Sequence, residues 1–166
     1  MKCIVLSDTH GYIDIAREAL RLNPDAEVVF FLGDGLADIE FLSDNYKNVA
    51  WLAVRGNCDI AAVFRDSMVK AVDSITLEGK KIVFTHGNLY GAKAGHGGLI
   101  SLARKEGADI LLFGHTHTPC EVYINEYEKP FYLFNPGSAS GYEASFGLIQ
   151  LEFGKEPLLS HGKVKR

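Results

Sequence analysis

Two histidines separated by one threonine, His115 and His117, follow the apolar run Ile110-Leu111-Leu112-Phe113 and Gly114. Four other stretches are built the same way. Asp8 and His10 follow Leu6-Ser7, and Asp34 lies between Gly33 and Gly35 after the run 28–32. Asn57 follows Gly56 after the run 49–54, and His86 precedes Gly87 after the run ending at Phe84. Each time an apolar run ends in a turn that carries Asp, Asn or His beside glycine. Together these turns offer two carboxylates, one amide and four imidazoles, and of the chain's six histidines four fall in them. Hard oxygen donors mixed with imidazoles suit first-row divalent ions such as Mn, Fe, Zn or Ni. Any one such turn is ordinary solvated loop chemistry. Five in series read as one metal site.

Ligands spread over five turns need a frame that gathers them. Cys3 to Leu6, 28–32 and 49–54 read as buried strands. Between them, Ile13, Ala16, Ala19 and Leu20 sit at helical spacing before Asn23-Pro24, and 36–42 reads as a short helix with Ile39 and Leu42 inward. Strand–helix alternation argues for a parallel sheet, whose carboxyl edge is where α/β proteins bind ligands. The second half differs. Runs 68–77 and 81–85 flank Glu78-Gly79-Lys80 as a hairpin, Leu99 to Lys105 is a helix stopped by Gly107, and 110–113 is a buried strand. Cys120 to Asn125 and Pro130 to Phe134 form a second hairpin, and 146–153 and 158–161 are final strands. These are too many strands for a simple open sheet at this length. Two packed sheets with helices outside are expected, as one domain spanning residues 1–166.

Composition narrows the function classes. The chain has 166 residues, 47% hydrophobic and 23% charged, with a formal net charge of -4. This balance points to neither a nucleic-acid face nor an anionic membrane. No stretch approaches the ~20 apolar residues that span a bilayer. The run Cys3 to Leu6 is too short for the apolar core of a signal peptide. Three widely spaced cysteines, Cys3, Cys58 and Cys120, fit neither a disulfide framework nor a four-cysteine zinc knot. A cytoplasmic location and a small-molecule substrate are expected, with no membrane and no specific nucleic-acid partner. The oligomeric state, homodimer or higher, stays open.

In this order, Asp8-x-His10, Gly33-Asp34, Gly56-Asn57, His86-Gly87 and Gly114-His115-x-His117 resemble the calcineurin-like metallophosphoesterase superfamily. Asn135-Pro136-Gly137-Ser138 extends the likeness to its small phosphodiesterases of the YfcE type. The resemblance implies an α/β (α+β) fold of two stacked mixed β-sheets flanked by helices, an αββα sandwich. It also implies a binuclear-metal-dependent phosphoesterase, most consistent with a phosphodiesterase. Two divalent metal ions are implied, Mn foremost, with Ni, Fe, Zn or Co as alternatives. By matching positions, Asp8, His10 and His117 would hold the first ion, Asn57, His86 and His115 the second, and Asp34 both. Asn57 and Asp34 would then take part in catalysis. Two divalent ions about 4 Å apart repel by roughly 17 kcal/mol at an effective dielectric near 20, so anions must lie between them. A bridging hydroxide and the Asp34 carboxylate would supply that charge, with the hydroxide attacking phosphorus in line. Two divalent ions balance Asp8, Asp34, the hydroxide and a phosphodiester monoanion, which leans toward diesters.

One position departs from the family pattern. Many members carry histidine after Gly-Asn, and that histidine can protonate the leaving group. This chain has Cys58, a poorer proton donor at neutral pH. Good leaving groups or slow turnover on alkyl esters are expected, unless Cys58 merely packs. Asn88 to Gly98 is glycine-rich and reads either as a helix entry or as a substrate rim bearing Tyr90, Lys93 or His96. Cys58 and His96 are thus candidate substrate contacts. Asp38 could orient a histidine. His161 and the strand aromatics read as structural. The alternative reading is a catalytically weak scaffold or protein-binding member of the same fold.

Overall fold

The structure is a computed structural model describing residues 1–60, 63–64 and 67–164. Three strands run parallel at its centre: β1 (Lys2–Leu6), β2 (Val28–Phe31) and β3 (Ala50–Ala53). Helices α1 (Asp14–Leu22) and α2 (Leu36–Ser43) are the crossovers. A small separate ladder of β4 (Val63–Phe64) and β5 (Ser67–Met68) follows β3. Next comes the hairpin of β6 (Val72–Leu77) and β7 (Lys80–Thr85), then α3 (Gly97–Glu106) and β8 (Ile110–Leu112). A second hairpin pairs β9 (Cys120–Ile124) with β10 (Phe131–Asn135). The chain then returns to the first sheet with β11 (Ser145–Gln150) and β12 (Leu158–Lys163). The first sheet has the order β12-β11-β1-β2-β3 and the second β6-β7-β8-β10-β9, with β7, β8 and β10 parallel. Both sheets are therefore mixed.

Side-chain alternation along the strands separates the layers. In β1, Ile4 and Leu6 join α1 and α2 in one apolar cluster, where Ile15, Ala19 and Ile39 are buried. Cys3 and Val5 face the other way and join Phe30, Phe84, Ile110, Leu112 and Phe134 between the sheets. On the far side of the second sheet, Val83, Leu111 and Leu133 pack under Leu99, Leu102 and Ala103 of α3. The result is an αββα sandwich. Each large apolar side chain buried this way contributes about 1.5–3 kcal/mol. Phe30 of the first sheet meets Phe84 of the second edge-on, ring centroids 5.2 Å apart, a geometry that aromatic quadrupoles favour.

Among the described residues there are twelve strands. The run 68–77 is not one strand. It breaks between β5 and β6, where the Lys70 carbonyl accepts from the Arg55 N–H and the Ala71 carbonyl from the Thr85 hydroxyl. Those bonds draw the chain out of the small ladder and into the second sheet. The exits of β1, β2 and β3 lie beside those of β7 and β8. Backbone bonds join the exits within each sheet, Asp8 N–H to Gly33 O at 2.9 Å and Gly114 N–H to His86 O at 3.0 Å, while the His115 N–H on Asp8 Oδ2 and His86 Nδ1 on Leu32 O cross between the sheets. No helix among the described residues is long and apolar enough to cross a membrane.

Candidate metal centre

Asp8, at the exit of β1, is closed to solvent. Its Oδ2 accepts from the Ser7 hydroxyl at 2.5 Å and from the His115 N–H at 3.1 Å. That leaves Oδ1 facing three imidazole nitrogens: His117 Nε2 at 3.1 Å, His10 Nε2 at 3.8 Å and His86 Nε2 at 4.0 Å. The Nε2 atoms of His10 and His117 lie 3.4 Å apart. Asp8, His10 and His117 thus bring one donor atom each within 4.8 Å of one another. Asp8, Asp34 and His86 form a second such group.

His86 shows why a cation fits. Its Nδ1 lies 2.7 Å from the Leu32 carbonyl, which can only accept, so Nδ1 carries the hydrogen. In the neutral ring Nε2 is then a lone pair. It faces Asp34 Oδ2 at 3.4 Å, Asn57 Oδ1 at 3.1 Å and His115 Nδ1 at 3.2 Å. Donor atoms crowd a single point, an arrangement that a proton or a metal ion would satisfy. Burial alone would lower the His86 pKa, but Asp34 beside it and the charge of Asp8 hold it above its ordinary value. Burial would likewise raise the Asp34 carboxyl, yet the His86 contact and the Cys58 N–H keep it well below the usual carboxylate range. The two shifts favour a proton shared between His86 and Asp34 when no metal is bound. His115 is held below its ordinary value by burial and by the positive charges of His86 and Lys93. A neutral imidazole is the form that binds metal.

The backbone is strained at the same places. Among the described residues, six non-glycine residues have positive φ: Asp8 (57°), His10 (46°), Asp34 (60°), His115 (68°), His117 (60°) and Glu78 (47°). Glu78 belongs to the β6–β7 turn, which demands that conformation. The other five are all proposed ligands. Left-handed non-glycine residues cost about 1–3 kcal/mol each and persist where the surroundings over-determine them.

Further residues hold the ligands in place. Asp59, which sequence reasoning passed over, accepts four backbone N–H groups: Asp34 and Gly56 on Oδ2 at 2.8 Å, Gly35 and Leu36 on Oδ1 at 2.8 and 3.0 Å. It ties the β2 exit to the β3 exit and faces the start of α2. Its signal was legible as a carboxylate three residues after a turn glycine. Asp38 makes no hydrogen bond or ion pair with a histidine among the described residues; its Oδ2 accepts from the Thr9 hydroxyl at 2.7 Å and the Gly11 N–H at 2.8 Å, bracketing His10. Asn135 donates to Gly114 O and to the Thr116 hydroxyl, and Ser138 donates to Asp8 O. The Asn-Pro-Gly-Ser turn therefore braces both ends of the site. His161 is structural: it stacks on Phe134 and donates to Asn135 O.

The two candidate substrate contacts fall on different sides. Cys58 is exposed, so it does not pack as a buried thiol would. It lines a cavity of about 400 Å³ with His10, Asp34, Leu36, Asp38 and Ile60. His96 lies edge-on against Phe113 and 4.0 Å from Cys120 Sγ. It lines a separate cavity of about 780 Å³ with Lys93 and Thr116. The glycine-rich stretch forms a short 3-10 turn at Asn88–Tyr90 and then leads into α3.

The family model for the calcineurin-like phosphoesterase superfamily domain matches residues 1–153. The chain belongs to that superfamily. Among curated relatives of this phosphoesterase-family protein is YsnB of Bacillus subtilis (strain 168), named a probable metallophosphoesterase. It is 30% identical over 138 residues, covering 83% of this chain and 75% of YsnB. The phosphodiesterase YfcE of Escherichia coli (strain K12) is 28% identical over 172 residues, covering 90% of this chain and 87% of YfcE. Among solved structures, Vps29 of Cryptosporidium parvum matches with a TM-score of 0.75 at 19% identity, over 99% of this chain and 98% of that one. That last likeness is one of fold.

Proposed function

We propose that this calcineurin-like phosphoesterase is a metal-dependent phosphodiesterase holding two divalent ions. One observation carries the reading: seven side chains leave five strand exits of two sheets and converge, with Asp34, Asn57 and His115 meeting at His86 Nε2. Asp8, His10 and His117 would hold one ion, and Asn57, His86 and His115 the other, with Asp34 between them. Bound divalent ions supply Lewis acidity, making water nucleophilic near neutral pH and offsetting phosphoryl charge for in-line attack.

The chain's own residues do the rest. Ser7 and the His115 N–H turn the Asp8 carboxylate so that one oxygen faces the site. Leu32 O fixes the His86 tautomer. Asp34, with Oδ1 on the Cys58 N–H, turns Oδ2 inward. Asn57 offers an uncharged oxygen, which binds without adding negative charge. The adjoining cavity is lined by Asp34, Asp38, Glu40 and Asp59. Beyond Asp34, which the ions would neutralise, the carboxylates of Asp38, Glu40 and Asp59 repel a monoester dianion more than a diester monoanion, which supports diesters. Manganese is the first ion to test, since carboxylates, an amide and imidazoles accept it as well as Zn, Ni, Fe or Co. The cysteines, all unpaired, support a cytoplasmic setting.

The test is hydrolysis by chelator-stripped protein, with Mn, Co, Ni, Zn or Fe restored in turn, on matched aryl phosphate mono- and diesters. Metal-restored turnover, faster on the diester, is expected. Faster monoester turnover refutes the diester preference. No metal-stimulated hydrolysis of any ester refutes the enzyme and leaves the binding-scaffold reading.

A further inference from the structure

Cys58 stands outside the seven donors above, yet its surroundings are those of a ligand. Its sulfur, a ring nitrogen of His10 and a carboxylate oxygen of Asp34 lie within 4.8 Å of one another. Asn57 donates from Nδ2 to Cys58 Sγ at 3.2 Å, so the sulfur acts as an electron-rich acceptor there. The Cys58 N–H donates to Asp34 Oδ1 at 2.7 Å, which fixes the residue's backbone against the carboxylate proposed to lie between the ions. The thiol is exposed and lines the same cavity as His10 and Asp34. Cys3, by contrast, is buried between the sheets. A thiol serving only to fill space belongs in such an interior.

We propose that Cys58 is an additional metal ligand: its sulfur coordinates the ion that His10 and Asp34 hold. This rests on the metal-centre reading above. On coordination the thiol gives up its proton to solvent and the sulfur lone pair binds the ion. The thiolate adds a third anionic ligand to Asp8 and Asp34. Sulfur ligation draws the site toward thiophilic ions such as Zn and away from Mn and Mg. It also removes Cys58 as a proton donor to the leaving group. Asn57 then works at both ends, with its oxygen facing His86 and its NH2 supporting the sulfur.

Cobalt(II) substitution tests this without any activity measurement. The stripped full-length protein is loaded with Co²⁺, bound cobalt is counted by elemental analysis, and the near-ultraviolet spectrum is recorded. The same is done for Cys58→Ser, whose exposed position and unchanged backbone N–H leave the fold intact. A sulfur-to-cobalt charge-transfer band in the native protein, absent from Cys58→Ser, is expected. Cobalt bound without that band overturns the proposal and leaves the metal centre standing. A band that survives in Cys58→Ser comes from Cys3 or Cys120 and overturns it equally. No bound cobalt removes the metal-centre reading itself, and the proposal with it.

Discussion

His86 Nε2 and Asp34 Oδ2 lie 3.4 Å apart, both side chains closed to solvent or nearly so. In the metal-free protein the His86 pKa is raised and that of Asp34 lowered, so below the raised His86 value the two pair as imidazolium and carboxylate. A metal ion must displace the proton they share. The competition makes both stability and metal binding depend on pH.

The sign follows from the two shifts. His86 contributes its full stabilisation below its unfolded pKa of about 6.5, and loses it as pH rises through the raised folded value. Asp34 contributes fully above about 3.9 and loses its share as pH falls through the depressed one. Melting of chelator-treated protein should therefore plateau between about pH 4 and 6.5 and decline on either side. Adding Mn²⁺ should raise the melting temperature more at about pH 8 than at about pH 5.5, since fewer protons compete. An equal gain at both would contradict the shared-proton account.

Asp59→Asn removes charge from a carboxylate that accepts four backbone N–H groups. Asparagine has a single acceptor oxygen, so donors on one side of the turn lose their partner. A loss of about 2–4 kcal/mol in unfolding free energy is expected by denaturant titration. Metal affinity measured by calorimetry should fall too, since Asp34 loses its anchor.

Gly56→Ala probes how closely the β2 and β3 exits approach. A Cβ at Gly56 would meet Asp34 Oδ1 at 2.0 Å and the Asp34 backbone nitrogen at 2.6 Å. The carboxylate could swing away, but the backbone cannot without breaking the turn. Destabilisation of about 1–3 kcal/mol is expected, together with fewer ions bound per chain. Unchanged metal stoichiometry would show that the turn has more room than its geometry allows.

His117 combines a ligand position with a φ of 60°. Asparagine tolerates that conformation, while a β-branched residue does not. His117→Asn should keep metal-free stability within about 1 kcal/mol, whereas His117→Val should lose about 1–2 kcal/mol. Both should bind less metal. If the two variants melt alike, left-handed strain at this position is unimportant.

Much of this was legible in the sequence, for reasons that differ by residue. The parallel strands showed themselves because strands such as β1 and β2, buried on both faces, read as unbroken apolar runs. The seven side chains that meet at the rim showed themselves because glycine beside Asp, Asn or His recurs at strand exits. Asp59 was harder to see, since its role depends on the β2 turn lying next to it, a neighbour 25 residues away in the chain. The break between β5 and β6 was hidden because Val69 continues the apolar pattern, while the Arg55 and Thr85 bonds that bend the chain are long-range. Asp38 shares its helix with nothing titratable in imidazole form, so its true partners, Thr9 and Gly11, had no local signature.

The apolar layer between the two sheets, from Cys3 to Leu151, is complete without any of the seven side chains at the rim. Cohesion of the sandwich and chemistry at its rim are thus separable inheritances. A lineage could forfeit one imidazole and with it the reaction, yet keep a sturdy body whose vacated rim is free to be recruited for gripping another macromolecule.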